Sequence, residues 1–351
     1  MTPSPSPGHI QRLEERQRNF HLQALQATPH SNTTCLNLVY LPNNNPPQPT
    51  LTIPSLLDLL NFQPNPHSPS TITPLDPLAT DQTLALLLGR AALPPQQQSL
   101  LHFATNSHQF QTWFHSLSSR VLSIHGMDTT AASAMPGAWS SVVPATSYFC
   151  ALLMQNLARL ADGVGGEGGR VYPVGFYCRF HGGGGYGGHD GDEGGFDGPV
   201  GMMRFLVAQV VMLLATRRGE LGVDLSHVGV AEAEALGRGD LDALCLVFDG
   251  LVKQIGVGVV VCVVDWVAWF EREPAFLEGL HTVMLYLNSL VQAVEQSQTG
   301  LVFKLLVANP MTSQFVRDWF PGQEELYLPE GMLMGAQGFG EGNLEDCLSP
   351  Q

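Results

Sequence analysis

The sequence predicts an α/β fold: a mostly parallel sheet of about five strands, covered by helices on both faces. Three observations carry that expectation. Short apolar runs bounded by turn residues alternate with longer segments of helical period. Several runs are continuously apolar, as in VGVVVCVV (257–264) and LVFKLLVAN (301–309), the pattern of strands buried on both faces. Hydrophobic residues make up 44% of the 351, ample for a core.

Taken in order, residues 1–80 are polar and proline-rich, as in LPNNNPPQPT (41–50) and NFQPNPHSPSTITPLDP (61–77). Such composition buries too little apolar area to offset ordering entropy. It predicts a mostly disordered tail with short helical patterns at Ile10–Gln26 and Ser55–Leu60. Order is expected from Asp81, a candidate N-cap for a helix over 81–93, with Gly89 as its weak point. Pro94 opens a second helix, and Ser107 caps a third. RVLSIHG (120–126) reads as a buried strand. TSYFCALLMQNLARLAD (146–162) is a strongly apolar helix, and VYPVGFYCRF (171–180) a strand rich in β-branched and aromatic residues. The low-complexity HGGGGYGGHDGDEGGFDG (181–198) is expected to be a flexible insert. A helix follows from Pro199, and after a polar connection another begins at the cap Asp240. Then come a strand (257–265), a helix (273–294), a strand (301–309), a helix (311–320) and a short strand (325–329). Residues 330–351 read as a flexible Gly-rich tail. The folded domain is therefore placed at 81–329.

Charged residues are only 13% of the chain, and 31 acids against 16 bases give a net charge of −15. A general electrostatic grip on nucleic acid or anionic lipid is not expected. The six cysteines show no CxxC pair, and Cys150, Cys178, Cys245 and Cys262 fall in apolar stretches where free thiols are commonly buried. No apolar signal segment opens the sequence, and Arg204 interrupts the apolar PVGMMRFLVAQVVMLLA. These features predict an intracellular, cytoplasmic protein.

Ligands of open parallel sheets sit beyond the carboxyl ends of the strands, which directs attention to His125-Gly126, Arg179-Phe180-His181, Asp265 and Asn309. An aspartate ending an apolar strand is the Walker B pattern, where it orders Mg²⁺. Its partner GxxxxGK[ST] should follow the first strand, with backbone amides and a lysine on the phosphates. There the chain offers HGMDTTAASAMPGAWSSVVPATSYF (125–149), with Gly126, Thr129, Thr130, Ser133 and Ser147 but no lysine. The chain has only two lysines, Lys253 and Lys304. The plain alternative for Asp265 is a strand ending at the surface, its carboxylate capping the next turn.

The serial order WFHSLSSRVLSIHG, TSYFCALLMQNL, VYPVGFYCRFH, DGPVGMMRFLVAQVV, LCLVFDGLVKQI, VVVCVVDWVAWFE and VFKLLVANP resembles a NACHT-like module. It is similar to the degenerate P-loop NTPase modules of fungal STAND-type proteins. The resemblance covers about residues 81–329 and implies an ASCE-type sheet. Strand 120–125 then holds the Walker A position, 257–265 the Walker B position and 301–309 the sensor place. A relic nucleotide site of Gly126, Ser133, Ser147, Asp265 and Asn309 is implied, with Asp265 on Mg²⁺ if a nucleotide binds. Departures are large: Walker A is absent, Trp266, Val267, Ala268 and Trp269 stand where a second acid is usual, Pro310 replaces the basic sensor, and no sensor repeats follow.

Other chemistry finds little support. His181, His189, Asp190, Asp192 and Asp197 suggest a calcium loop, but glycines stand at 194 and 201 where ligands are needed. No GxSxG elbow occurs. His102, His108 and His115 fit a helix face, and Trp266, Trp269 and Phe270 fit packing. The expectation is a non-catalytic NACHT-like interaction or regulatory module with a protein partner and no cofactor. The alternative is an atypical nucleotide binder or weak NTPase holding Mg-ATP or Mg-GTP through Asp265.

Overall fold

The computed structural model describes residues 51–62, 77–127, 143–161, 170–181, 196–219, 222–297, 299–329 and 344. Four helices, α1 (Ile53–Leu59), α2 (Pro77–Ala92), α3 (Pro95–Asn106) and α4 (His108–His115), precede strand β1 (Arg120–His125). Helix α5 (Ala145–Ala161) and strand β2 (Val171–Tyr177) follow, then a 3-10 turn over Cys178–His181. Next come α6 (Gly198–Arg218), α7 (Val230–Gly237), α8 (Leu241–Ile255) and β3 (Gly258–Asp265). A second 3-10 turn over Val267–Arg272 leads into α9 (Pro274–Ser297), β4 (Leu301–Asn309), α10 (Val316–Trp319) and β5 (Glu324–Tyr327).

The five strands form one sheet in the order β2-β3-β4-β1-β5, and every pairing is parallel. This agrees with the predicted α/β class and with a P-loop-like architecture. The register aligns Tyr177 with Asp265, Asp265 with Ala308, and His125 with both Asn309 and Tyr327, so the strand tips meet along one edge. Because side chains alternate across a strand, Val260, Cys262 and Val264 pack into one apolar cluster with α1 and α6 to α10. Val261 and Val263 face the opposite cluster, built on α2 to α5. Helices on both faces explain why β3 and β4 read as continuous apolar runs.

Edge strand β2 is protected by α6. The Gln209 side chain donates to the Gly175 carbonyl at 2.7 Å and accepts from its amide at 2.8 Å, replacing a neighbouring strand at that residue. Two residues earlier, Pro173 has no amide to satisfy, and Arg217 donates to the Val171 carbonyl at 2.6 Å. Gln209→Leu is expected to cost about 2 kcal/mol by urea denaturation, because it strands two buried backbone groups. A loss below about 0.5 kcal/mol would show that the edge does not depend on this clasp.

Several expectations need correction. The chain enters the core before Asp81: Leu56 and Leu60 of the 53–60 segment are fully buried among α6 to α9. Asp81 does not cap α2, which starts at Pro77; it lies inside the helix and pairs with His181 at 2.8 Å. Gly89 is a contact rather than a weak point, since a Cβ there would sit 2.2 Å from the Tyr148 ring. The polar connection contains α7, and the helix expected over 311–320 shrinks to the four residues of α10. Strand 171–180 ends at Tyr177.

The caps Ser107 and Asp240 are observed, accepting from the amides of Phe110 and Ala243. Helix α6 is long and apolar enough to cross a membrane, but 78% of its most apolar window is buried inside the fold. The patterns at 10–26, most of the 181–198 insert and nearly all of 330–351 lie outside the described residues. Leu344, described within that last range, is buried in the α2 to α5 cluster.

Candidate functional site

Asp265 is the last residue of β3 and is 1% exposed. The strand therefore does not end at the surface, although the Trp266 amide of the following turn does lie against the carboxylate, as the capping explanation requires. Parity along β3 places its side chain on the α5 face with Val261 and Val263. There it meets Ser147, in the first turn of α5, and Cys150 three residues later on the same helix face. Burial lifts the carboxyl from its ordinary 3.8 to about 7, while Ser147, Arg179, Cys150 and the Trp266 amide pull the other way. Burial, and then the proximity of Asp265, pushes the Cys150 thiol well above its ordinary range. That makes it an inert thiol rather than a nucleophile.

The residue after Asp265 is strained. Trp266 sits in the left-handed region at φ 57°, ψ 48°, although it is bulky and only 1% exposed. Its amide donates to the Ala308 carbonyl at 2.6 Å, tying the bend to β4. The guanidinium of Arg179, from the 3-10 turn after β2, lies 5.0 Å from the Trp266 ring centroid. Trp269 packs edge-on against Trp266 at 5.4 Å, is half-buried, and carries Arg272 over its own ring. Phe270 is fully buried. Packing accounts for Trp266 and Phe270.

Asn309 ends β4 as a clip between strand tips. Its Oδ1 accepts from the Ala268 amide at 2.8 Å, and its carbonyl accepts from the Gly126 amide at 2.7 Å. The Gly126 amide is thus engaged within the fold rather than free for phosphate. A Cβ on Gly126 would lie 2.6 Å from the Pro310 carbonyl oxygen, so close backbone approach explains the glycine. His125 is buried beside it, stacked on Tyr327 at 4.9 Å, and burial first of all lowers its pKa.

Buried polar atoms with no hydrogen-bond partner among the described residues gather at this edge. They include both ring nitrogens of His125, Thr146 Oγ1, Ser147 Oγ, Tyr177 Oη, Asp265 Oδ1, Trp266 Nε1 and Asn309 Nδ2. Ser147 is near enough to favour the ionised carboxylate, yet neither its Oγ nor Asp265 Oδ1 completes a hydrogen bond. Native interiors leave few such groups, so their concentration here singles out the carboxyl edge.

Of the sequence-derived residues, the fold brings Ser147 to Asp265, and Gly126 to Asn309. Ser133, Thr129 and Thr130 lie outside the described residues. Neither lysine serves the site: Lys253 pairs with Asp249 at 2.7 Å, and Lys304 donates to the Ser116 and Ser118 carbonyls at 2.7 Å each. Lys304 is in register with the first residue of β1, roughly 16 Å along the strand from Asn309. Arg159 is in the last turn of α5 and Arg170 precedes β2, both at the opposite edge. Sequence reasoning put Arg179 and Asp265 at the same strand-end edge, but missed Tyr177 and Cys150 as neighbours of Asp265. The Ser147 to Cys150 spacing was the available signal for the second.

The calcium-loop histidine His181 is stacked on Phe176 at 4.7 Å and paired with Asp81, while His189, Asp190 and Asp192 lie outside the described residues. Among the described residues no group of three or more His, Cys, Asp or Glu is placed to hold a metal.

No protein-family model matches the chain, and no curated protein matches it. Function rests on the geometry itself. A magnesium-bound triphosphate needs an accessible carboxylate and a cation on the phosphates. Here the carboxylate is buried against Ser147 and Cys150, the Gly126 amide is engaged, and both lysines are held elsewhere. Among the described residues, this edge does not fit that group.

Proposed function

We propose that the chain is a non-catalytic, NACHT-like interaction or regulatory module, a pseudo-NTPase that binds a protein partner. The observation that carries this is Asp265: an acid at the Walker B place, buried and held at a proton affinity near neutrality, without a phosphate-binding lysine. Phosphoryl transfer depends on positioning and on stabilising developing charge, and neither lysine of the chain reaches this edge. Isothermal calorimetry of the full chain with Mg²⁺–ATP and Mg²⁺–GTP tests it. No saturable heat to about millimolar ligand is expected; saturable binding that disappears in Asp265→Ala overturns the proposal.

A second proposal, an atypical nucleotide binder, is favoured by one observation. Ser147 stands beside Asp265 in the first turn of α5, and a hydroxyl and a carboxylate so placed are the metal-holding pair of P-loop proteins. The helix N-terminus adds orphan amides and a partial positive charge. The same titration separates the two.

A further inference from the structure

Helix α1 stands between the proline-rich sequences 41–50 and 63–76, and it completes its own backbone at both ends. Thr52 caps the start, its Oγ1 accepting from the Ser55 amide at 3.3 Å. At the other end Asn61 takes the left-handed conformation at φ 63°. The Asn61 amide donates to the Asp58 carbonyl at 2.9 Å and the Phe62 amide to the Leu57 carbonyl at 2.8 Å, the paired bonds of a Schellman cap. Among the described residues, no hydrogen bond or ion pair joins 51–62 to the rest of the fold. What attaches the segment is apolar. Ile53, Leu56, Leu57 and Leu60 are buried in the cluster built on α6 to α10, spaced i, i+3, i+4, i+7 along one helix face. Pro54, Ser55, Asp58 and Asn61 are exposed. Leu59 lies over the end of α7, where a Cβ on Gly237 would meet its methyl at 3.5 Å. Phe62 packs on Phe196 and on Phe205 of α6, with ring centroids 4.6 and 5.4 Å apart. A capped helix with one apolar stripe and no polar tie is the form in which a helical peptide enters a groove. Lifting it out strands no buried polar group.

We propose that the groove holding α1 is the partner-binding surface of this chain, and that α1 is its exchangeable occupant. The partner is an amphipathic helix of another protein with apolar residues at i, i+3, i+4 and i+7. The inference rests on the interaction-module reading and names its surface and its partner class. A helix of seven residues is too short to hold together by itself in water, so α1 forms as it docks. Tethered to α2 through residues 63–76, it faces the groove at an effective concentration on the order of millimolar. A partner helix gains the groove only by binding tightly enough to overcome that tether.

The probe is a fluorescein-labelled peptide of residues 51–62, whose anisotropy is followed with two forms of the full chain. In one, Leu56→Asp and Leu60→Asp together release the tethered helix; the other is wild type. The released chain should bind the peptide with a Kd of about 1–100 µM. Wild type should bind it at least about tenfold more weakly, because its groove is occupied. Gly237→Trp, added to the released chain, fills the space under Leu59 and should weaken binding by about tenfold or more. A peptide carrying Leu56→Asp should not bind, and one carrying the outward Asp58→Ala should bind like the original.

No binding by a folded released chain, or equal binding by wild type, overturns the assignment, as does equal binding of the Leu56→Asp peptide. If the released chain does not fold, hydrogen exchange of wild type decides. Amides of 56–60 should exchange at least about a hundredfold faster than those of β3; exchange in step with β3 makes α1 an inseparable part of the core and overturns the proposal. Wild-type dimers that the peptide disperses, read by light scattering, assign the groove to a second copy and overturn the partner. Saturable nucleotide binding through Asp265 overturns the pseudo-NTPase reading whatever the peptide does. A peptide that fails to bind, in a chain that binds no nucleotide, overturns only the groove.

Discussion

Asp265→Asn should stabilise the protein at pH 8 and make little difference near pH 4. The native carboxyl titrates at about 7 against an ordinary 3.8, so between those values the native state holds a proton that the unfolded chain has released. Where the native state binds more protons, stability falls as pH rises. The loss begins near pH 4, is complete above about pH 7, and disappears on acidification. A shift of about three units corresponds to about 4 kcal/mol at most. Because Asn cannot reproduce the interaction with Arg179, a net gain of about 2 kcal/mol at pH 8 is expected. Urea denaturation of both proteins at pH 4, 6 and 8 measures the difference. A difference that does not change with pH would mean that this carboxyl is solvated rather than enclosed.

Asp265 also shows what sequence could and could not reveal. The strand tips were legible because β3 and β4 are continuously apolar and end sharply at Asp265 and Asn309. The parallel class followed from the same runs, and Ser107 and Asp240 announced their helices by chemistry that acts within three residues. What was lost depended on distance in sequence. Nothing near Asp81 reveals that His181 will arrive beside it, so the short-range capping assignment was the natural one. Gly89 looks like a helix defect until Tyr148 packs on it.

Helix α7, VAEAEALG, is short and built largely of small residues, and it docks by burying Leu236 with Ala235 packed beside it while Val230 stays exposed. The expected 311–320 helix is cut short because Glu271 captures the Ser313 hydroxyl and the Gln314 amide. The site followed the same rule: Ser147 and Asp265 were legible as types at plausible positions. Their contact, and the approach of Arg179 to Trp266, are products of tertiary register.

Lys304→Met should be among the more damaging single substitutions in the sheet, costing about 3 kcal/mol. Lys304 is 2% exposed and makes two 2.7 Å bonds to the Ser116 and Ser118 carbonyls. These close the turn that feeds β1, and methionine fills the volume while leaving both acceptors without a donor. Burial, and then Arg120, lowers the ammonium to about 8, with Glu295 and Glu324 opposing. Here the linkage has the other sign. Between about pH 8 and 10.5 the unfolded chain keeps a proton that the native protein has shed, so stability rises with pH through that window. Wild type should therefore gain on Lys304→Met as pH rises from 8 to 10. Denaturant midpoints at those two values measure this, and a variant within about 0.5 kcal/mol of wild type at both would remove Lys304 from its structural role.

The two titrations are also separable in space. Lys304 is level with the entry of β1 and Asp265 ends β3, too far apart to share partners, so their effects should add to within about 0.5 kcal/mol in the double variant. That additivity bears on function. If the lysine could swing to the carboxyl edge, its loss would change the pH profile of Asp265. An unchanged profile keeps Lys304 as a brace for β1, apart from the strand-tip acid.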